Sequence, residues 1–268
     1  MTPSDFSTID FVIELFCRVD DAMIDVKKHN QANLWPSEIT TLGLLFALKG
    51  VGERAFYRWA KRDLRSLFPR LPHRTRLFRL FATHQDWTRR FLAEPTLLGV
   101  IDSYGIELVH PIRERAKPPR QRIATKGKSN FRWIMGAKLC FVLNRFGLAV
   151  DFETAPANVS DQTFQPLIAK WDEQMLILGD QGFHAKQGDP PNLKICSKGR
   201  WNVRMVVETV LSMLTTICHS KKIGHRVWAY LNARLAFLLS IFNLLVQWDG
   251  LKPDEEGFVH LSIARFSL

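Results

Sequence analysis

An α/β fold, with a mixed sheet flanked by helices and preceded by an all-helical segment, is the class this 268-residue sequence predicts. Three observations predict it. Apolar residues recur at helical spacing from Thr8 to about Glu94; short apolar runs bounded by turn residues follow Pro95; and helical spacing returns beyond Arg200. Helices, then strands, then helices suit a layered α/β unit after a helical one, divided as residues 1–95 and 96–268.

The N-terminal part reads as four helices jointed at Pro36, Gly50/Gly52, Pro69 and Pro72. Ser37 is the expected N-cap of a helix running to Lys49, where Gly50-Val51-Gly52 breaks it. The next helix, Glu53 to Phe68, sets Phe56, Trp59, Ala60 and Leu64 as a packing stripe and Arg54, Arg58, Lys61, Arg62 and Arg65 around it. Strands are expected at 96–101, 131–142, 147–154 and 175–178, with a helix from Asp161 to Trp171 between the last two. The stretch from Pro111 to Asn130, with Pro118-Pro119 and a run of Arg and Lys, is expected to be a mobile basic loop. Helices close the chain over 203–218 and 227–247.

Composition narrows the partner. Lys and Arg number 37 against 26 Asp and Glu, a formal net charge of +11. Residues 53–93 and 111–138 each carry +8, so the remainder sums to −5 and the positive charge lies in two blocks. Such blocks point to a polyanion, either nucleic acid or an anionic membrane. The most apolar run, Leu235 to Val246, contains Ser240 and Asn243 and falls short of the roughly 18 residues that span a bilayer. A buried core helix is expected there, with no membrane partner and no secretory signal at the start; nucleic acid remains. Cys17, Cys140, Cys196 and Cys218 form no C-x-x-C pair, which argues against zinc and a disulfide framework and suits a reducing compartment.

Three acids stand where a fold can aim them. Asp102 ends the first apolar run, Asp180 follows the fourth, and Glu208 lies in a helix between Val207 and Val210. Acids at strand ends project into the crevice where α/β folds bind ligands. Clustered carboxylates repel unless a cation neutralises them, and hard oxygen donors suit Mg²⁺ or Mn²⁺. Two such ions about 4 Å apart would serve phosphodiester chemistry. An Asp after a strand is also a common turn residue, so spacing alone leaves both roles open.

The surrounding residues add context. Val100-Ile-Asp-Ser-Tyr104, Gly136-Ala-Lys-Leu139, Leu178-Gly-Asp-Gln-Gly-Phe183, Arg204 to Leu214, and Leu231-Asn-Ala-Arg234 resemble, in order and neighbourhood, bacterial insertion-sequence transposases of the Asp-Asp-Glu class over roughly residues 35–247. That resemblance implies a ribonuclease H-like core holding two Mg²⁺ or Mn²⁺ ions on Asp102, Asp180 and Glu208. It implies cleavage at element ends and strand transfer into target DNA, on a homodimer bound to double-stranded DNA in the bacterial cytoplasm, at the nucleoid. In the related signature Tyr-x₂-Arg-x₃-Glu-x₆-Lys, Arg204 and Glu208 match, while Trp201 stands at the aromatic place and Thr215 at the Lys place. Trp201 and Arg204 are thereby expected to meet DNA beside the acids, and Arg58, Arg62 and Arg65 to grip its backbone. A catalytically decayed DNA-binding protein and a nuclease on the same core are the alternatives. His184, near Asp180, reads as a loop residue, and Gly50-Val-Gly52 as a helix joint.

Overall fold

The computed structural model describes residues 7–109, 123–129, 132–196, 203–251, 262–263 and 266. Seven α-helices are described: α1 (Thr8–Ala22), α2 (Pro36–Lys49), α3 (Glu53–Asp63), α4 (Arg74–Thr83), α5 (Gln165–Ala169), α6 (Val203–Thr216) and α7 (Trp228–Asp249). Six strands accompany them: β1 (Leu98–Val109), β2 (Thr125–Ser129), β3 (Arg132–Asn144), β4 (Ala149–Pro156), β5 (Leu176–Gly179) and β6 (Leu193–Ile195).

All six strands join one mixed sheet. β3 pairs antiparallel with β1 on one side, while β2 and β4 lie end to end along its other side; β5 and β6 then add parallel to β1. Three antiparallel positions followed by two parallel ones, with helices on both faces, give the α/β, ribonuclease H-like class expected from the sequence.

The sheet separates two cores. Ile101, Cys140, Val142 and Phe164 pack with α5 on one face. Ile106, Leu139 and Phe141 face the other way, into a larger core shared with α1–α4, α6 and α7. The helices of residues 8–91 thus pack against the same core as the C-terminal helix. Arg234 of α7 is one tie: buried, it donates to the Val51 carbonyl at 3.1 Å and lies 4.5 Å from the Phe46 ring centre. Burial lowers its pKa to about 10.

Several boundaries depart from expectation for physical reasons. α2 starts at Pro36, with the Glu38 carboxylate accepting from the Trp35 amide at 2.6 Å, so Trp35, not Ser37, is the N-cap. Ser37 is buried inside the helix. α3 ends at Asp63, leaving Arg65 beyond it. The expected helix 161–171 splits into a 3₁₀ turn, Asp161–Phe164, and the short α5. Part of the expected basic loop is strand β2, and its residues 111–122 and 130 lie outside the described residues.

The apolar run near 235–246 belongs to a longer helix than its own length suggests. Trp228–Trp248 would be long and apolar enough to cross a membrane, yet 83% of its most apolar window is buried in this fold. Its polar residues find partners inside: Asn243 bonds both the amide and the carbonyl of Ala149, at 2.8 and 2.7 Å, and Ser240 donates to the Thr88 carbonyl.

Candidate active site

β1 does not stop at Ile101. It continues to Val109 along β3, so Asp102 sits within the strand, opposite Phe141, rather than at its end. Alternation sets half-buried Asp102 on the face of Val100 and Tyr104, the face on which α6 packs. Parallel pairing joins Leu98 to Leu176, Gly99 to Ile177 and Val100 to Leu178. Asp102 lies two residues beyond Val100, and Asp180, the first residue after β5, two beyond Leu178. Asp180 is exposed and caps the 3₁₀ turn Gln181–Phe183, its Oδ1 accepting from the Gly182 amide at 2.9 Å.

Glu208 is exposed on α6, between Val207 and Val210, which are buried in the larger core. Among the described residues, no group of three or more His, Cys, Asp or Glu side chains is gathered closely enough to hold a metal ion. Asp102 and Asp180 thus each follow the last pair of the β1–β5 ladder by two residues, while Glu208 does not complete a three-acid cluster with them. As a donor set, two hard carboxylates at adjacent strand positions fit a divalent cation in kind.

Sequence reasoning missed an acid beside this pair. Asp161 Oδ1 accepts from Ser103 Oγ at 2.6 Å and from Lys138 Nζ at 2.9 Å, and Lys138 also donates to the Val159 carbonyl at 2.9 Å. A β-carbon on Gly182 would stand 3.0 Å from both Asp161 Oδ2 and Asp180 Oδ1, so the absence of a side chain there lets the two acids flank one turn. Buried Cys140, opposite Ser103 on β3, reports the local charge. Its thiol pKa is pushed well up by burial, with Asp161, Asp102 and Glu153 adding to the effect and Lys138 opposing it. Lys138, within the Gly136–Leu139 motif, was the one signal available.

The other expected residues are placed as follows. Trp201 lies outside the described residues, and Arg204 lies in α6 one turn before Glu208. Thr215, at the place of the motif Lys, donates to the Ser212 carbonyl at 3.1 Å. Arg58, Arg62 and Arg65 are exposed, but Arg62 pairs with Asp63 through two bonds of 2.6 and 2.7 Å. His184 pairs with Asp189 at 2.8 Å in the loop after Asp180. Gly50 is a joint with φ of 66°, and a β-carbon there would meet His219 at 2.6 Å.

Residues 92–189 match the family model described as Transposase DDE domain, a span that includes Asp102 and Asp180 and ends before Glu208. No curated protein sequence matches the chain. Among solved structures, the chain is similar to the Mos1 strand transfer complex at 12% identity, covering 91% of this chain and 86% of the other, with a TM-score of 0.32. It is also similar to the Mos1 transposase paired-end complex with left transposon end, at 13% identity, 91% and 87% coverage and a TM-score of 0.27. The family match supports DNA transposase function and a catalytic role, as the motifs led us to expect.

Proposed function

We propose that this chain is an insertion-sequence DNA transposase, with Asp102, Asp180 and Glu208 as its metal-binding acids. The observation that supports the reading is that Asp102 and Asp180 each follow the last pair of the β1–β5 ladder by two residues, inside the segment that matches a transposase DDE domain. Transposases of the DDE class use divalent metal, and one of the similar structures is a Mos1 mariner paired-end complex with Mn. Asp102 and Asp180 would hold Mg²⁺ or Mn²⁺, two ions in all, with Glu208 brought alongside by α6. Bound there, the metal would supply Lewis-acid stabilisation of charge on the phosphate oxygens.

The protein's own groups do the rest. Asp102 is held by its strand, its Oδ1 accepting from the Ser103 amide at 2.7 Å, so the carboxylate is oriented before any ligand arrives. The Asp180 carboxylate is fixed by the Gly182 amide, and Lys138 offsets the neighbouring charge of Asp161. Exposed Arg58 and Arg65 would meet phosphates of double-stranded DNA, at element ends and at the target, and Arg204 would hold the scissile phosphate beside Glu208. End cleavage by water would leave a 3′-hydroxyl that then attacks target DNA. A homodimer on DNA, in the bacterial cytoplasm, is the assembly this reading entails.

The second reading, a protein that binds DNA without cutting it, is favoured by one observation: the three acids do not form a closed cluster among the described residues. Purified chain, incubated with Mg²⁺ or Mn²⁺ and DNA carrying the repeats that flank its reading frame, separates the two. Cleavage and joining, both abolished by Asp102→Asn, Asp180→Asn or Glu208→Gln with DNA affinity retained, are expected. Cutting without joining would indicate a nuclease, and binding alone a decayed enzyme.

A further inference from the structure

The outer edge of the sheet carries an aromatic and basic surface that the proposed chemistry does not use. In the β2–β3 ladder, Lys126 is opposite Met135 and Lys128 is opposite Trp133, so these four side chains share one face. Trp133 is 61% exposed, although an indole ordinarily gains by burial. Lys126 Nζ lies 5.5 Å from the centre of its ring, and Lys126, Lys128 and Arg132 are all exposed. Arg132 points to the opposite face, where it lies 3.8 Å from Glu107.

Two features make this edge a built surface. The strand carrying the lysines is pinned: Gly127 lies against β4's end so closely that a β-carbon there would sit 1.9 Å from the Ala157 carbonyl oxygen. The strand carrying the tryptophan leads straight to the acids. β3 alternates from Trp133 to Phe141, and Phe141 pairs with Asp102. Trp133 and Asp102 therefore face the same side of the sheet, eight residues apart along β3, which is about 26 Å at 3.3 Å per residue.

We propose that Trp133, Lys126 and Lys128 form a stacking platform for an unpaired or distorted DNA strand at the β2 edge of the sheet. The inference rests on the reading that this chain acts on DNA. The indole takes the face of a base, and the two ammonium groups take the phosphates beside it. Stacking of this kind tolerates any base sequence, because every base has a π-face, and the flanking positive charge selects a polyanion over an apolar protein surface.

The test uses the full chain in EDTA, where no cleavage occurs, with fluorescein-labelled dT20 and a 20-bp duplex as probes. Trp133→Ala is expected to weaken dT20 binding about ten- to hundredfold and duplex binding much less, with an unchanged melting temperature because the ring is exposed. Trp133→Phe should retain most of the dT20 affinity. Lys126→Ala with Lys128→Ala should flatten the dependence of log K on log[salt] for dT20 by up to about 0.7 per lost phosphate contact. Wild-type dT20 affinity in Trp133→Ala overturns the platform, as does an equal loss for both probes with a lowered melting temperature. The transposase reading is judged separately, by metal-dependent cleavage and its loss in Asp102→Asn. Platform behaviour without any cleavage would sink that reading and leave the platform standing.

Discussion

Lys138 and Asp161 form an ion pair of 2.9 Å between β3 and the turn that leads into α5, with side chains only 12% and 23% exposed. The pair ties together segments that flank Asp102 and Asp180 from behind, on the sheet face opposite α6. Ser103 adds a second donor to the same Asp161 oxygen. Both donors thus converge on one oxygen of an acid that shares the Gly182 turn with Asp180.

Removing the cation should expose that arrangement. Lys138→Met keeps the chain length of the side chain but leaves Asp161 with one neutral donor in a largely dry site. A loss of about 2 kcal/mol in unfolding free energy is expected, read from urea denaturation. The double variant with Asp161→Asn should recover part of it, and strict additivity of the two substitutions would show that the pair is not coupled.

The basic residues of α3 and of the turn after it make a separable prediction. Phe56 and Ala60 are buried, while Arg58 and Arg65 are exposed, so replacing both by Ala should leave the fold intact. Duplex affinity should fall alike for all sequences, and the salt slope should flatten by up to about 0.9 per lost contact. Arg62 is already engaged by Asp63, so Arg62→Ala alone should change the slope less than either neighbour. Fluorescence anisotropy across a salt series measures all three.

His225 predicts a pH dependence of stability. It is buried against Phe46, its Nε2 has no hydrogen-bond partner among the described residues, and its pKa is lowered to about 4 by burial and then by Arg234. The folded protein thus holds it neutral while the unfolded chain protonates it near the ordinary value of 6.5. Its contribution is fully present above pH 6.5 and is lost as pH falls toward 4, by about 3 kcal/mol over the window. His225→Phe should flatten that part of the stability profile in denaturant titrations from pH 7 to 4.5. An unchanged slope would show that another group governs it.

The elements with strong periodicity were legible in the sequence, and those built by pairing were not. β3 is a largely apolar run, and β4 sets Val150 and Phe152 among polar residues, so both read directly as strands. β1 was cut short at Ile101 because Asp102-Ser103-Tyr104-Gly105 breaks the apolar run; its continuation is supported by β3 on one side and, at Glu107, by the bridge to Lys222 on the other. β2, Thr-Lys-Gly-Lys-Ser, has no apolar residue at all and exists as the partner of β3. For the site, Asp102 and Asp180 were visible through their neighbours in sequence. Asp161 was not, because its partners Ser103 and Lys138 are 58 and 23 residues away and only the sheet brings them together.

α7 imposes an order on the making of this molecule. The helix is apolar nearly all round, and it covers α2, α4 and the Ala149 edge of β4, all of which precede it in the chain. A ribosome delivers those surfaces first and their cover many residues later. During synthesis Leu44, Phe46, Phe81 and the backbone of Ala149 wait uncapped until α7 emerges, leaving apolar surface open to aggregation in the growing chain. Stop codons or frameshifts upstream of Trp228 would accordingly yield insoluble fragments instead of a shorter working protein.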